Sequence, residues 1–128
     1  MPRHKEKKES DLKFEAEFYE KILEKRPNFV EAIKVLAETY TRLGEYTKGL
    51  ELDLKLTNLL PDDCLVYYNL SCSYSLLGDI DNALINIKQS ITLGYRDFDY
   101  MNRDPDLSNL RKDKRFEEVL SKEKIVDK

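Results

Sequence analysis

The chain repeats itself at an interval of 34 residues, and that interval constrains its fold more than any other feature. Leu36, Tyr40, Leu43, Gly44 and Leu50 recur as Leu70, Tyr74, Leu77, Gly78 and Leu84, and Pro27 recurs as Pro61. A period of about 20–50 residues marks stacked supersecondary units, each too small to bury its apolar face alone. Within one unit Leu36, Tyr40 and Leu43 are four and three apart, the spacing of a single helical face. Gly44 and Gly78 then fall where a helix stops, because glycine enters the left-handed region without a Cβ clash. Each unit reads as helix, glycine turn, helix, proline. The expected fold is all-α: a solenoid of helical hairpins with about five main helices and short helices closing its C-terminal end.

A 34-residue helix–turn–helix with Leu and Tyr in its first helix, Gly at the turn and Pro at its end resembles the tetratricopeptide repeat, TPR. The favoured Trp of that family is absent, with Ile33 and Tyr67 in its place, and Gly49 stands where a small alanine is usual, while Ala83 conforms. The segment Gly94–Phe98, then Asp104-Pro-Asp-Leu107 and Leu110–Phe116, is similar to the element that closes many TPR arrays, except that Lys114 replaces a proline. The resemblance implies a right-handed α-α superhelix that recognises proteins through a concave groove lined by the first helix of each hairpin.

Along the chain, residues 1–10 are almost wholly polar and read as a disordered charged tail. Residues 11–122 form one domain: a half-repeat at 11–29, full repeats at 30–63 and 64–97, and a degenerate capping segment at 98–122. Residues 123–128 are expected to fray. In the half-repeat Phe14, Phe18, Tyr19, Ile22 and Leu23 give one apolar face. Asp11, Glu45, Asp79 and Asp113 recur at the same interval of 34, each near a helix start where an acidic side chain suits the dipole. Asn28 and Glu31 have capping-box spacing, and Asp62 or Asp63 is placed to cap the next first helix. After Tyr95 the register breaks, because Pro105 forbids one continuous helix. The spacing predicts short helical turns near 98–102 and 105–111 and a last helix from Asp113 to about Ser121, with Asp104-Pro105 as N-cap and first helical residue.

Little in the chain points to catalysis, and it is not expected to be an enzyme. Its one histidine, His4, lies in the tail, there is no glycine-rich phosphate loop, and Ser, Cys and His never approach a triad arrangement. Asp97, Asp99, Asp104 and Asp106 lack the glycine and distal glutamate of a calcium loop and read as helix caps. No cofactor or metal is expected. Cys64 and Cys72 are separated by about 12 Å along one helix, too far to bridge, and read as thiols in a reducing compartment. No apolar run of about 18 residues spans a membrane, and the first residues lack the apolar stretch of a secretory signal. The expected location is the cytoplasm. With 37% charged residues the net charge is only −3, which does not favour nucleic acid.

Function is therefore expected in the groove. The residues that face it off the buried stripes are Glu31, Lys34, Glu38, Thr41 and Arg42 in one helix and Leu65, Tyr68, Asn69, Cys72 and Ser75 in the next. Tyr68 is the expected apolar anchor for a bound peptide, with Lys34 and Glu38 opposite its polar groups, unless Tyr68 and Leu65 pack against the C-terminal segment. The positions of the family's carboxylate clamp hold Lys34, Glu38, Asn69, Asp99 and Arg103, and the two acidic ones would repel a carboxylate. The expected function is a non-catalytic adaptor or scaffold for a protein or peptide partner, as a monomer or as a weak homodimer through residues 11–23. Two alternatives stand beside it. One is a self-associating structural module using the incomplete N-terminal repeat. The other binds nucleic acid or an acidic partner through basic ends, with Arg111–Arg115 beside Tyr95, Phe98 and Tyr100.

Overall fold

A computed structural model describes residues 7–126, with side chains through residue 122. The expected disorder of residues 1–6 and the fraying of residues 127–128 lie outside the described residues. The described chain is helical throughout, without a strand. The helices are α1 (Glu9–Lys25), α2 (Val30–Arg42), α3 (Tyr46–Leu59), α4 (Cys64–Leu76) and α5 (Ile80–Thr92), followed by a shorter series. That series is α6 (Phe98–Met101), a 3-10 turn (Pro105–Leu107), α7 (Ser108–Arg111) and α8 (Lys114–Val126).

The 34-residue pattern sets these boundaries. Gly44 and Gly78 take φ of +79° and +80° at the ends of α2 and α4, where the chain doubles back into the next helix. Asp63 accepts from the Leu65 N–H, Asp79 from the Asn82 N–H and Asp113 from the Arg115 N–H, so these acidic residues cap. Four expectations are corrected. α1 begins at Glu9, with Asp11 acidic in its first turn as expected, and Lys7 already donates to Glu15, so the polar tail is ordered from residue 7. Glu45 sits at the N-cap of α3 but pairs with Lys48 instead of a backbone N–H. The Asn28–Glu31 box does not form: Phe29 is the N-cap of α2, its ring held under Arg26 at 4.1 Å. Finally, α8 runs beyond Ser121 to Val126.

Each main helix packs on the next in sequence, α1 on α2 through α4 on α5. The core is correspondingly divided into three clusters. Ala16, Leu36 and Tyr40 bind α1 to α2, and the Tyr40 hydroxyl donates to Glu20 while the Thr39 hydroxyl donates to Glu15 at 2.6 Å. Ile33, Leu56 and Val66 join α2, α3 and α4. The largest cluster gathers Tyr68, Leu84, Ile87 and Ile91 with Met101, Leu107, Leu110, Phe116 and Leu120 of the C-terminal segment. Gly49 explains the closeness of α2 and α3, since a Cβ there would lie 3.0 Å from Thr41 Oγ1 and 3.4 Å from the Ala37 carbonyl. Two aromatic side chains of α1, Phe14 and Phe18, stay 72% and 52% exposed.

The turn glycines give a direct check. Gly78→Ala places a Cβ at a φ of +80° and should cost about 1–2 kcal/mol in chemical denaturation, although nothing lies within 4 Å of that Cβ. An unchanged midpoint would mean that the turn relaxes out of the left-handed region.

Candidate functional site

Between α2, α4 and the C-terminal segment lies a cleft of about 530 Å³. Lys34, Glu38, Thr41 and Arg42 form one wall, Leu65 and Asn69 the other, and Tyr100, Pro105 and Asp106 overhang it. These wall residues are neighbours because α2 and α4 present corresponding faces at an interval of 34 residues. Leu65 is 57% exposed and offers an apolar contact, Lys34, Glu38 and Asn69 are exposed, and Arg42 reaches to within 3.8 Å of Glu38.

Four of the expected contact residues are placed otherwise. Tyr68 and Cys72 border the cleft but are buried, 4% and 7% exposed, under the C-terminal segment. The Tyr68 ring stacks on Tyr95 with centroids 4.4 Å apart, and its hydroxyl donates to Asp104 Oδ2 at 2.7 Å. The Cys72 thiol points to the same oxygen at 3.9 Å. Burial drives both groups well above their ordinary pKa values, and the Asp104 carboxyl adds to both, so they stay protonated donors and Cys72 is a poor nucleophile. Ser75 is fully buried and outside the cleft, its Oγ accepting from the Leu110 N–H and its carbonyl from the Asn109 side chain. Glu31 is exposed on α2 without bordering the cleft. The anchor role expected of Tyr68 toward a peptide is thus filled from within the chain, by Asp104 and Tyr95.

The same segment dismantles the basic–aromatic surface. Tyr95 is buried, Phe98 and Tyr100 pack partly against the large core, and the Arg111 guanidinium donates to the Met101 and Asp104 carbonyls. Arg115 is paired with Asp113 and Asp81. The aspartates of the suspected calcium run include two caps, Asp97 for the Tyr100 N–H and Asp104 for the Asp106 N–H.

One residue of the cleft escaped the reading of the sequence. Asp53, on α3, is 5% exposed and borders the cleft between the two walls. Its Oδ2 accepts from the Ser73 hydroxyl at 2.5 Å. Burial pushes its carboxyl up to about 7, with the Ser73 hydroxyl pulling the other way. Its position carried a signal: Gly49, Asp53 and Leu56 are spaced four and three apart, so Asp53 occupies the buried stripe of a leucine-rich helix.

Two consequences are measurable. Tyr68→Phe removes a buried donor from Asp104 and should destabilise the chain by about 1–3 kcal/mol. A loss below about 0.5 kcal/mol would show that this hydrogen bond contributes little to holding the C-terminal segment. For Asp53 the folded value of about 7 lies above the unfolded value of 3.8. The folded chain therefore binds the extra proton between those limits, and stability is lost as pH rises through 7. Relative to wild type, Asp53→Asn should gain on the order of 4 kcal/mol between pH 4 and pH 8, keeping an acceptor for Ser73. A wild-type minus variant difference that is flat with pH would mean an ordinary carboxyl.

No family model matches the chain. It is 31% identical over 84 residues to a chloroplastic protein of Arabidopsis thaliana, a similarity that takes in 63% of this chain and 25% of that protein. The chain thus spans a quarter of the length of that relative. No helix among the described residues is long and apolar enough to cross a membrane.

Proposed function

We propose that this chain is a TPR-like helical-hairpin solenoid acting as a non-catalytic adaptor, and that it binds a short protein segment in the cleft between α2 and α4. The carrying observation is the cleft itself: two helices one repeat apart offer Lys34, Glu38 and Arg42 on one side and Leu65 and Asn69 on the other. An exposed leucine framed by charges suits an extended peptide, which buries one apolar side chain and pairs its polar groups along the walls. The glycine turns at an interval of 34 residues and the helix-on-next-helix packing support the solenoid. We place its work in a reducing aqueous compartment, the cytoplasm on the reading of the thiols, whereas the Arabidopsis relative carries a chloroplast name.

A second reading has its own observation. The exposed Phe14 and Phe18 on α1 form an apolar surface at one end, which suits self-association. One experiment separates the two. Twelve-residue peptides selected on the full chain from a random display library are titrated into ¹⁵N-labelled protein whose oligomeric state is fixed by sedimentation. Amide shifts at residues 31–42 and 65–69 of a monomer are expected. Shifts confined to residues 11–23, or a concentration-dependent dimer with a silent cleft, would transfer the function to the α1 end.

A further inference from the structure

The cleft contains more negative than positive groups. Glu38, Asp53, Asp63, Asp104 and Asp106 border it against Lys34 and Arg42. Several of these are occupied within the chain: Asp104 by Tyr68 and the Asp106 N–H, Asp63 by the Leu65 N–H, and Glu38 by Arg42. Asp53 differs. Among the described residues its only hydrogen-bond donor is Ser73, which serves one oxygen, and no ion pair joins it to Lys34 or Arg42. Among the described residues, every side-chain oxygen or nitrogen shut off from solvent has a hydrogen-bond partner. The second Asp53 oxygen has no donor, so it keeps contact with solvent, and the cleft is the space that Asp53 borders.

A carboxyl held in this way is prepared for a cation. Most of the cost of ion pairing at a buried site is removal of the two charges from water, and folding has already stripped Asp53 of its water. The arriving group bears only its own share. An acidic ligand would instead meet a surplus of carboxyl groups. Building on the adaptor reading above, we propose that Asp53 is the specificity-determining residue of the cleft. It receives the ammonium or guanidinium group of a lysine or arginine in the bound segment.

The pairing also makes binding proton-linked. The Asp53 carboxyl, raised to about 7 by burial, ionises when the cation arrives, so binding releases a proton below that pH. The other titratable or charged groups around the cleft are Lys34, Glu38 and Arg42 of α2, Asp63, Tyr68 and Cys72 at and within α4, and Tyr100, Asp104 and Asp106 above them. The Asp53→Asn variant separates its contribution from theirs.

The test uses the peptides selected above, each resynthesised with its basic residues replaced singly by norleucine, which keeps the aliphatic stem and removes the charge. Binding to the full chain is followed by amide shifts and by the side-chain carboxyl ¹³C shift of Asp53. The selected peptides should share a basic residue whose replacement weakens binding tenfold or more, and whose contact moves the Asp53 carboxyl signal. Asp53→Asn should weaken the parent peptide by a similar factor and leave the norleucine peptide unaffected. On wild-type protein the affinity of the parent should fall by up to about tenfold per pH unit below 7. Peptides that bind the cleft without a shared basic residue, or with equal affinity to Asp53→Asn, overturn the role of Asp53 while the adaptor reading stands. Peptides that leave residues 31–42 and 65–69 unperturbed overturn both.

Discussion

The hydrogen bond from Tyr68 to Asp104 organises much of what surrounds it. Asp104 is the first residue of the Asp-Pro-Asp-Leu turn, and through one carboxyl group it caps that turn and receives the Tyr68 hydroxyl. Its carbonyl takes the Arg111 guanidinium at 2.6 Å. A buried polar group left unpaired costs more than the pair gains, so each member holds the others in one arrangement. The turn is thereby fixed against the middle of α4, and Leu107, Leu110 and Phe116 are delivered onto the apolar face that α4 and α5 leave open. Tyr68 has two roles at once: its ring closes the core against Tyr95, and its hydroxyl decides where the cleft ends.

The cleft follows from that arrangement. Had the C-terminal segment gone elsewhere, Tyr68 and Cys72 would line an open apolar strip. With the segment in place the floor is mixed, Asp53 and Ser73 beside Ala37, Leu56 and Val66, and the exposed contacts that remain are Leu65 and the charged and amide groups of Lys34, Glu38 and Asn69. The site is accordingly built for a segment of mixed character.

The helices were legible in the sequence because their punctuation repeats. Gly44 and Gly78 take the left-handed conformation that only glycine enters cheaply, and Asp63 and Asp79 cap as acidic residues at helix starts do. The walls Lys34, Glu38, Arg42, Leu65 and Asn69 were legible too, since helical periodicity alone places them off the buried stripe. Cys72 and Ser75 are misplaced, and Tyr68 is left between a peptide and the C-terminal segment, for a definite reason. Their partners sit 32 to 36 positions away in a segment whose register is broken by Pro105, and no periodicity states where an irregular stretch will lie. Asp53 was overlooked because attention to polar residues on exposed faces passes over one on a buried face. The failed Asn28 cap turns on a single residue of offset at a helix start, which spacing does not resolve.

The division of the core into three clusters governs how the protein comes apart. Each cluster is shared by neighbouring helices, and the two toward the α1 end are small while the one under the C-terminal segment is the largest. In a chain whose contacts run from neighbour to neighbour, stability is a sum of local terms and need not be lost all at once. Opening therefore begins with α1, which is held chiefly by α2 through Ala16, Tyr40 and two hydroxyl–carboxyl pairs, with Leu23 reaching the next cluster. The cleft lies at the boundary between the loosely and the firmly held halves. Its α2 wall moves with the first, its α4 wall is anchored by the second, and a bound segment that bridges them ties the weaker half to the stronger.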